Sequence, residues 1–517
     1  MMPLGGKRLV RSVLVIFALA SQGVDPKPAT GALLEDCLLG SGVAFDNDTI
    51  FWTDKTGASA RTLVTTKPVD TSSLQSAIFC ARDLGLSAYP VSGRHSYQPP
   101  SISGQVLVDV SEMCTREAIS FDQTSSTLRI PAGCPQGVLL SALPDNTIFP
   151  VGNCPTVGLG GLLLGGGMTD ASRYLGLACD SIEGLTMVTS SGEVINATRE
   201  THPDVLYMAC GSGVVPKGGI VTSFTLRLSP LPESARAEVS RISVFVSSNA
   251  TANTLTQLQT MLASEDERYW KIGGGGVVGV PELRDMDIGL VLQLLYLGPG
   301  PDGVALLEES GVAGPDSYVS VDTFDTYKEA MVASMVNEGI GVNMTNACDV
   351  FGCFSGLFDA TNHTNIDRLV AMLDDPSSPL LDKHSDLWST RDFSYPIPGF
   401  MISWLPTEVW NDLAEVSFTP ARTGGTPMCG RNYILLAHFS GGRVRERNAS
   451  SSAFPWRNDT MLVTWLNGAS PTEQEACAAE AARYDAVLKQ WDISLDRAYL
   501  NYRGSAEWDD KVTYVVV

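Results

Sequence analysis

Two side chains in this sequence have the reactivity to form bonds or exchange protons, and each sits in unusual company. His95, one of five histidines in 517 residues, lies in "PVSGRHSYQPP" (90–100), between a turn and a proline pair. Cys154 heads "CPTVGLGGLLLGGG" (154–167) and belongs to a set of eleven cysteines, an odd number. In an oxidising compartment at least one thiol must stay reduced, pair with another chain, or bond to something other than cysteine. An imidazole near neutral pH is both base and nucleophile, and a thiolate is a strong nucleophile.

Seven of the sixteen residues from Gly152 to Gly167 are glycine. Without a Cβ, backbone N–H groups can close on a phosphate and positive φ is accessible, so an anion cradle is physically reasonable. The composition alone fits a tightly packed loop without a ligand equally well. The dinucleotide fingerprint G-x-G-x-x-G fails, since Leu163 occupies the third position after Gly158 and Gly160, and no loop ends in G-K-[ST]. His95, His202, His363, His384 and His438 show no metal-ligand spacing, and H-E-x-x-H, paired C-x-x-C and G-x-S-x-G are all absent. In isolation a lone histidine after a turn such as His95 is usually a surface or capping residue, and Cys154 has the alternative of a buried thiol or half of a disulfide.

The elements around these residues alternate in type. "VDTSSLQSAIFCARDLGL" has helical apolar spacing, with Asp70 or Thr71 as N-cap and Gly85 near its end. "LSAYPVSG" reads as a strand running into the turn before His95, and "GQVLVDVSEM" and "STLRIPAGC" as further strands. "PQGVLLSALPDN" fits a short helix opened by proline, "IEGLTMVTSSGEVINA" a hairpin turning at Ser191 and Gly192, and "GGIVTSFTLRLSP" a long closing strand. The character changes near residues 230–241. Beyond it, "AEVSRISVFVSS" and "IGLVLQLLYLG" alternate like antiparallel strands around the helical "TANTLTQLQTMLASED". "PTEQEACAAEAARYDAVLKQW" is a strong helix by propensity. The pattern predicts an α+β chain whose second part has one broad sheet with flanking helices.

Bulk properties narrow the function. A net charge of −22 lacks the concentrated basic surface that nucleic acid requires. Lys7, Arg8 and Arg11 followed by "SVLVIFALA" (12–20) read as a signal peptide; these nine residues fall well short of the roughly 20 that span a bilayer. Seven N-x-[ST] acceptors (Asn47, Asn196, Asn249, Asn343, Asn362, Asn448, Asn458) agree with a secreted, extracellular glycoprotein.

The motifs "SGRHSY", "VGNCPTVGLGGLLLGGG", "SRYLGLACDSI", "GGIVTSF", "AFPWR" and "AYLNY" occur in an order that resembles the berberine-bridge-enzyme-like FAD-linked oxidases, over about residues 35–505. The resemblance implies a two-part FAD-binding domain of the p-cresol-methylhydroxylase type plus a substrate domain. Expected segments are 1–21 signal peptide, 22–235 FAD-binding domain, 236–470 substrate-binding domain, and 471–517 a berberine-bridge-like segment returning to the FAD domain. It implies FAD bonded through its 8α-methyl to His95 and through C6 to Cys154. Gly158, Gly160, Gly161, Gly165, Gly166 and Gly167 would wrap the pyrophosphate and ribityl chain, and Gly219, Ile220 and Val221 would offer backbone to the cofactor. Val157 stands where the family keeps a small residue that admits oxygen. Tyr502 is the implied catalytic base, Tyr97 a substrate-stacking aromatic, Cys37–Cys80 an N-terminal disulfide and Cys348–Cys353 a local one.

Several positions depart from the family pattern. Two glycines, often with a basic residue ahead, usually precede the histidine; this chain has Arg94 in the pair and Val91 ahead. Met168 and Thr169 replace the usual Tyr-Gly, "SGVVPKG" replaces a glycine stretch, and Val463 and Trp465 are neither acid nor base. The sequence closes on "VTYVVV" where the family continues with a helix and a "DPxNxF"-like ending. The expected function is hydride removal from an alcohol or carbohydrate C–H, with oxygen as acceptor and hydrogen peroxide as product. Oxidation of a C–N or phenolic metabolite and an inert secreted flavin-binding protein are the alternatives. The expected partners are a small-molecule substrate and oxygen, with no nucleic acid and no membrane span.

Overall fold

The computed structural model describes residues 27–46, 64–95, 106–280, 283, 286–336, 393–394, 400–419, 431–468 and 474–493. Tyr97, Cys348, Cys353 and Tyr502 lie outside them, as does the sequence after residue 493.

The first sheet contains β1 (Ala44–Asp46), β2 (Val64–Lys67), β3 (Ala88–Val91) and β4 (Val106–Asp109) in the order β1-β2-β4-β3. Both β2 and β3 run parallel to β4. A parallel pair needs a crossover, and the helix Thr71–Asp83 supplies it between β2 and β3. Its start is set by reciprocal bonds between Asp70 and Ser73, a capping box. Ala77, Cys80 and Ala81 of its buried face pack with Leu34, Leu38, Val64 and Val106. The disulfide Cys37–Cys80 ties this helix to the helix Lys27–Gly40, as the family resemblance implies.

The second sheet is antiparallel: β5 (Ser120–Asp122), β6 (Thr127–Pro131), β8 (Ile182–Val188), β9 (Val194–Thr198) and β10 (Ile220–Arg227), ordered β5-β6-β10-β8-β9. A small ribbon, β7 (Thr147–Ile148) with β11 (Ser229–Pro230), flanks it. The β8–β9 hairpin turns where expected. Gly192 has φ +84°, and a Cβ there would stand 2.3 Å from the Phe79 ring. Only glycine lets that turn close on the helix Thr71–Asp83, where Gln75 Nε2 donates to Gly192 O at 2.7 Å. The two sheets are thereby joined.

The third sheet has β12 (Val239–Ser247), β13 (Ile272–Val278), β14 (Ile288–Tyr296), β15 (Ser317–Phe324), β16 (Phe393–Ser394), β17 (Phe400–Ile402), β18 (Arg431–Phe439) and β19 (Met461–Gly468). Its path is β15-β12-β14-β13-β18-β19-β16, with β17 also on β19. This is the broad sheet that the alternating pattern predicts. The helices Thr251–Ala263, Thr407–Phe418 and Gln474–Gln490 bury Leu255, Leu258, Val409, Trp410, Leu413 and Tyr484 in one core with Ile242, Leu292, Ile434 and Val463. A second core joins this sheet to the glycine run, with Val239, Leu295, Met401 and Leu462 beside Phe149, Met168 and Ala171.

Polar contacts fix that junction. A Cβ at Gly273 of β13 would fall 1.7 Å from Asp170 O, so the loop after the glycine run lies directly on the strand. Arg173 is fully buried; it donates from Nε to Ile272 O (2.8 Å) and from Nη1 to Leu262 O (3.0 Å) and Ser440 O (2.5 Å). Desolvation, then the nearby Arg445 charge, lowers its ionisation to about 9, which leaves it charged at neutral pH. Two further disulfides, Cys114–Cys134 and Cys179–Cys210, brace the second-sheet region. Among the described residues no helix is long and apolar enough to cross a membrane.

Candidate functional site

The loop after β3 carries His95, and the loop before the short helix Leu159–Leu164 carries Cys154. Their backbones meet. A Cβ on Gly93 would fall 2.1 Å from Gly158 N, and one on Gly158 would fall 2.1 Å from Ser92 Oγ. No other residue type permits that approach at either position. Ser92 Oγ donates to Ala132 O at 3.0 Å, and Gly160 N donates to the same carbonyl at 2.9 Å. Ala132 N in turn donates to Thr222 O at 2.9 Å, which links the site to Ile220 and Val221 at the start of β10.

At this seam His95 Nε2 lies 2.7 Å from Thr156 Oγ1. Burial pulls the imidazole's ionisation from 6.5 down to about 3, so the ring is neutral at physiological pH and keeps a lone pair. Cys154 stands outside the disulfides and is half-buried. Its backbone is pinned by Gln136, whose Nε2 donates to Cys154 O and whose Oε1 accepts from Gly152 N at 2.7 Å. Gln136 N donates to Val157 O at 2.9 Å, and Gly137 N donates to Pro155 O at 2.8 Å. The nucleophiles singled out in the sequence therefore lie on two loops held in direct contact.

Residues 62–198, which include both loops, match the family model described as FAD binding domain. This segment is an FAD-binding domain. The FAD-linked oxidoreductase pynB of Aspergillus niger is 34% identical over 167 residues, covering 32% of this chain and 30% of that protein. A xylooligosaccharide oxidase of Thermothelomyces thermophilus is 29% identical over 228 residues, 42% of this chain and 46% of that one. The matches thus span less than half of these relatives' lengths. Among solved structures, Physcomitrella patens BBE-like 1 superposes with a TM-score of 0.68 at 19% identity, covering 91% of each chain. The chain has the fold of the berberine bridge enzyme-like proteins, and FAD is the cofactor of its nucleotide-binding domain.

The FAD-binding domain's own residues fit that cofactor. Gly166 (φ +114°) and Gly167 (φ +74°) adopt backbone that side chains rarely accept, and Gly161 faces open space. Gly165 closes the short helix after Gly158, Gly160 and Gly161. Next to His95, Arg94 is buried, ion-paired through Nη2 with the fully buried Asp109, and has a buried Nε without a hydrogen-bond partner. Among the described residues that Nε has no partner, and glycine backbone at positive φ can turn N–H groups toward an anionic ligand. Gly219 is packed against Met187, whose Cε would lie 2.5 Å from an added Cβ.

The Arg94 departure has a structural account. Arg94 has φ +58°, a left-handed conformation natural to glycine, and its guanidinium neutralises Asp109. The arginine thus trades local backbone strain for a buried ion pair. Met168 and Thr169, which replace the expected Tyr-Gly, are both buried, and Thr169 N donates to Ser172 Oγ at 2.8 Å.

A charged cluster that sequence reading missed lies just past the glycine run. Arg241 Nη1 donates to Asp170 Oδ2 at 2.8 Å, and His438 Nδ1 stands 3.8 Å from Asp170 Oδ1. Burial alone would raise the Asp170 carboxyl, but His438 and Arg241 outweigh it and hold it below the usual carboxylate range. These three residues are 71 or more positions apart in sequence, and no local motif joins them.

Proposed function

We propose that this chain is a secreted FAD-dependent oxidase that takes hydrogen from an alcohol or carbohydrate C–H, with FAD held covalently by His95 and Cys154 and oxygen as final acceptor. The observation that carries the reading is the seam between the His95 and Cys154 loops inside the FAD-binding domain. When bound, FAD supplies the two-electron acceptor that no amino-acid side chain provides.

The chain's own residues do the rest. A half-buried His95, kept neutral by desolvation, offers a lone pair, and a half-buried Cys154 offers a thiol on a rigid backbone. Thr156 engages His95 Nε2, which directs the other ring nitrogen to the cofactor. Gly161, which faces open space, and the positive-φ Gly166 and Gly167 would lie along the phosphates with Gly158, Gly160 and Gly165, and half-buried Val157 sits beside Cys154 where oxygen would enter. Tyr97 for substrate stacking and Tyr502 as base follow from the family resemblance. Three disulfides among the described residues agree with an oxidising compartment. The carbohydrate assignment draws on the xylooligosaccharide oxidase relative.

The test is purified protein precipitated in acid and resolubilised. Yellow colour should remain with the polypeptide, and a peptide containing His95 should carry the mass of FAD. His95→Ala should retain one link, and His95→Ala with Cys154→Ala should release FAD. Peroxide release on xylobiose, cellobiose and chitobiose then ranks substrates. Protein that folds but binds no flavin would sink the reading.

A further inference from the structure

We infer that His438, oriented by Asp170, accepts the substrate's hydroxyl proton in this chain. The inference rests on the oxidase reading above and gives to His438 the proton that the family resemblance gives to Tyr502. His438 lies on β18 at a register shift between Leu436 and His438, a β-bulge, opposite Leu462 of β19. Bulges re-aim side chains and recur beside active sites. His438 shares its face of the sheet with Leu462, which packs in the core that reaches the glycine run.

The partner comes from the other side of the junction. Asp170 follows Gly167 by three residues and is almost fully buried. Leu462 shares one core with Met168 and Ala171, which flank Asp170, so β19 and the loop after the glycine run are packed together. Arg241 occupies Asp170 Oδ2, while Asp170 Oδ1 and His438 Nδ1 are both buried without hydrogen-bond partners, 3.8 Å apart. That distance is too long for a hydrogen bond. Catalytic contacts often stand long until substrate closes them. With Nδ1 buried toward the carboxylate, the 12% of the side chain still exposed belongs to the rest of the ring, which carries Nε2.

The charged and titratable groups facing the pair are Arg241 from β12 and Tyr327 from the helix Tyr327–Val336, with Arg173 bonded to Ser440 O two residues on. Tyr327 is engaged, its hydroxyl donating to Phe149 O at 2.9 Å. Arg241 keeps Asp170 ionised, and an ionised Asp170 stabilises the imidazolium that proton uptake creates. The step balances. The hydroxyl proton goes to Nε2, the C–H hydrogen leaves with its electron pair to FAD, and the C–O bond becomes C=O. Oxygen then takes two electrons and two protons, one of them from His438, and leaves as hydrogen peroxide.

The experiment has two arms on the full chain. In the first, a carbon-13 histidine NMR titration follows His438, with His438→Asn identifying its resonance; Asp170→Asn should lower the midpoint by about one pH unit, a tenfold change in proton affinity. In the second, flavin reduction by xylobiose is followed against pH. His438→Asn should slow it by roughly 10²–10⁴ and abolish the limb that rises with pH. KM should move less than about threefold. His438→Gln separates roles, since its amide can bond Asp170 but takes no proton: it should restore folding stability and leave reduction slow. Wild-type reduction with its rising limb in His438→Asn, or an unmoved midpoint in Asp170→Asn, overturns the inference; if xylobiose is not oxidised, the titration alone decides. Flavin-free protein defeats the oxidase reading instead, and the titration still reports on the pair.

Discussion

Thr156 Oγ1 lies 2.7 Å from Nε2 of His95, a contact that bridges two loops 61 residues apart in sequence. Losing this partner removes one hydrogen bond from a half-buried ring, at a cost of about 0.5–1.5 kcal/mol. Thr156→Val keeps the shape and removes the hydroxyl, so covalent flavin, measured as acid-stable absorbance per protein, should fall severalfold. Thr156→Ser should restore it. Equal yields in all three proteins would show that the hydroxyl does not orient His95.

Burial also makes His95 a source of acid sensitivity in protein prepared without flavin. The folded ionisation, near 3, lies below the ordinary 6.5, so the unfolded chain binds the proton more readily. The contribution to stability is complete above pH 6.5 and drains as pH falls toward 3, by roughly 1.4 kcal/mol per pH unit at most. His95→Gln should flatten that part of the urea-midpoint profile. An unchanged slope between pH 6 and 4 would mean that His95 is more solvated than its position indicates.

Much of the framework was legible because it rests on local rules. The Asp70 cap, the hairpin at Gly192, the proline-opened helix at Gln136 and the alternating strands β12 and β14 all appear where pattern and turn chemistry put them. The seam between Gly93 and Gly158 was legible only as two motifs, since nothing within either says that they touch. Gln136, Asp170 and Arg241 carried no signal, because each acts on a backbone or a partner brought close by tertiary packing. His438 was visible as a scarce histidine, but its meaning depends on a bulge and on a carboxylate 268 positions away.

Arg94 should be harder to remove than its strained backbone suggests. Replacing it by glycine relieves a left-handed φ of +58°, worth about 1–2 kcal/mol. It also takes the counter-ion from the fully buried Asp109, which keeps the bond from Ser111 N, and breaking such a pair costs about 3–5 kcal/mol. Arg94→Gly should therefore lower the denaturation free energy by a net of about 1–4 kcal/mol, and Arg94→Gly with Asp109→Asn should recover part of it. A glycine variant as stable as the parent would show that the pair contributes nothing net.

Arg173 offers the sharpest test of how the sheet carrying His438 is held to the FAD-binding domain. Its guanidinium spans Ile272 of β13, Leu262 at the end of the helix Thr251–Ala263, and Ser440 just past β18, all through backbone carbonyls. Among the described residues no carboxylate pairs with it, so these carbonyl dipoles are what offset its desolvation. Lysine keeps the charge but lacks the planar fork and can serve fewer of the three directions. Methionine removes the charge and leaves buried acceptors unfilled, about 1–3 kcal/mol for each one that finds no water. Both variants should unfold earlier, and the sheet should separate from the FAD-binding domain before either melts. The measurement compares flavin absorbance with far-ultraviolet circular dichroism during denaturation. In the parent the two transitions should coincide; in Arg173→Met the flavin signal should lead. Coincident curves with an unshifted midpoint would mean that apolar packing of Met168, Met401 and Leu462 holds the junction without the arginine.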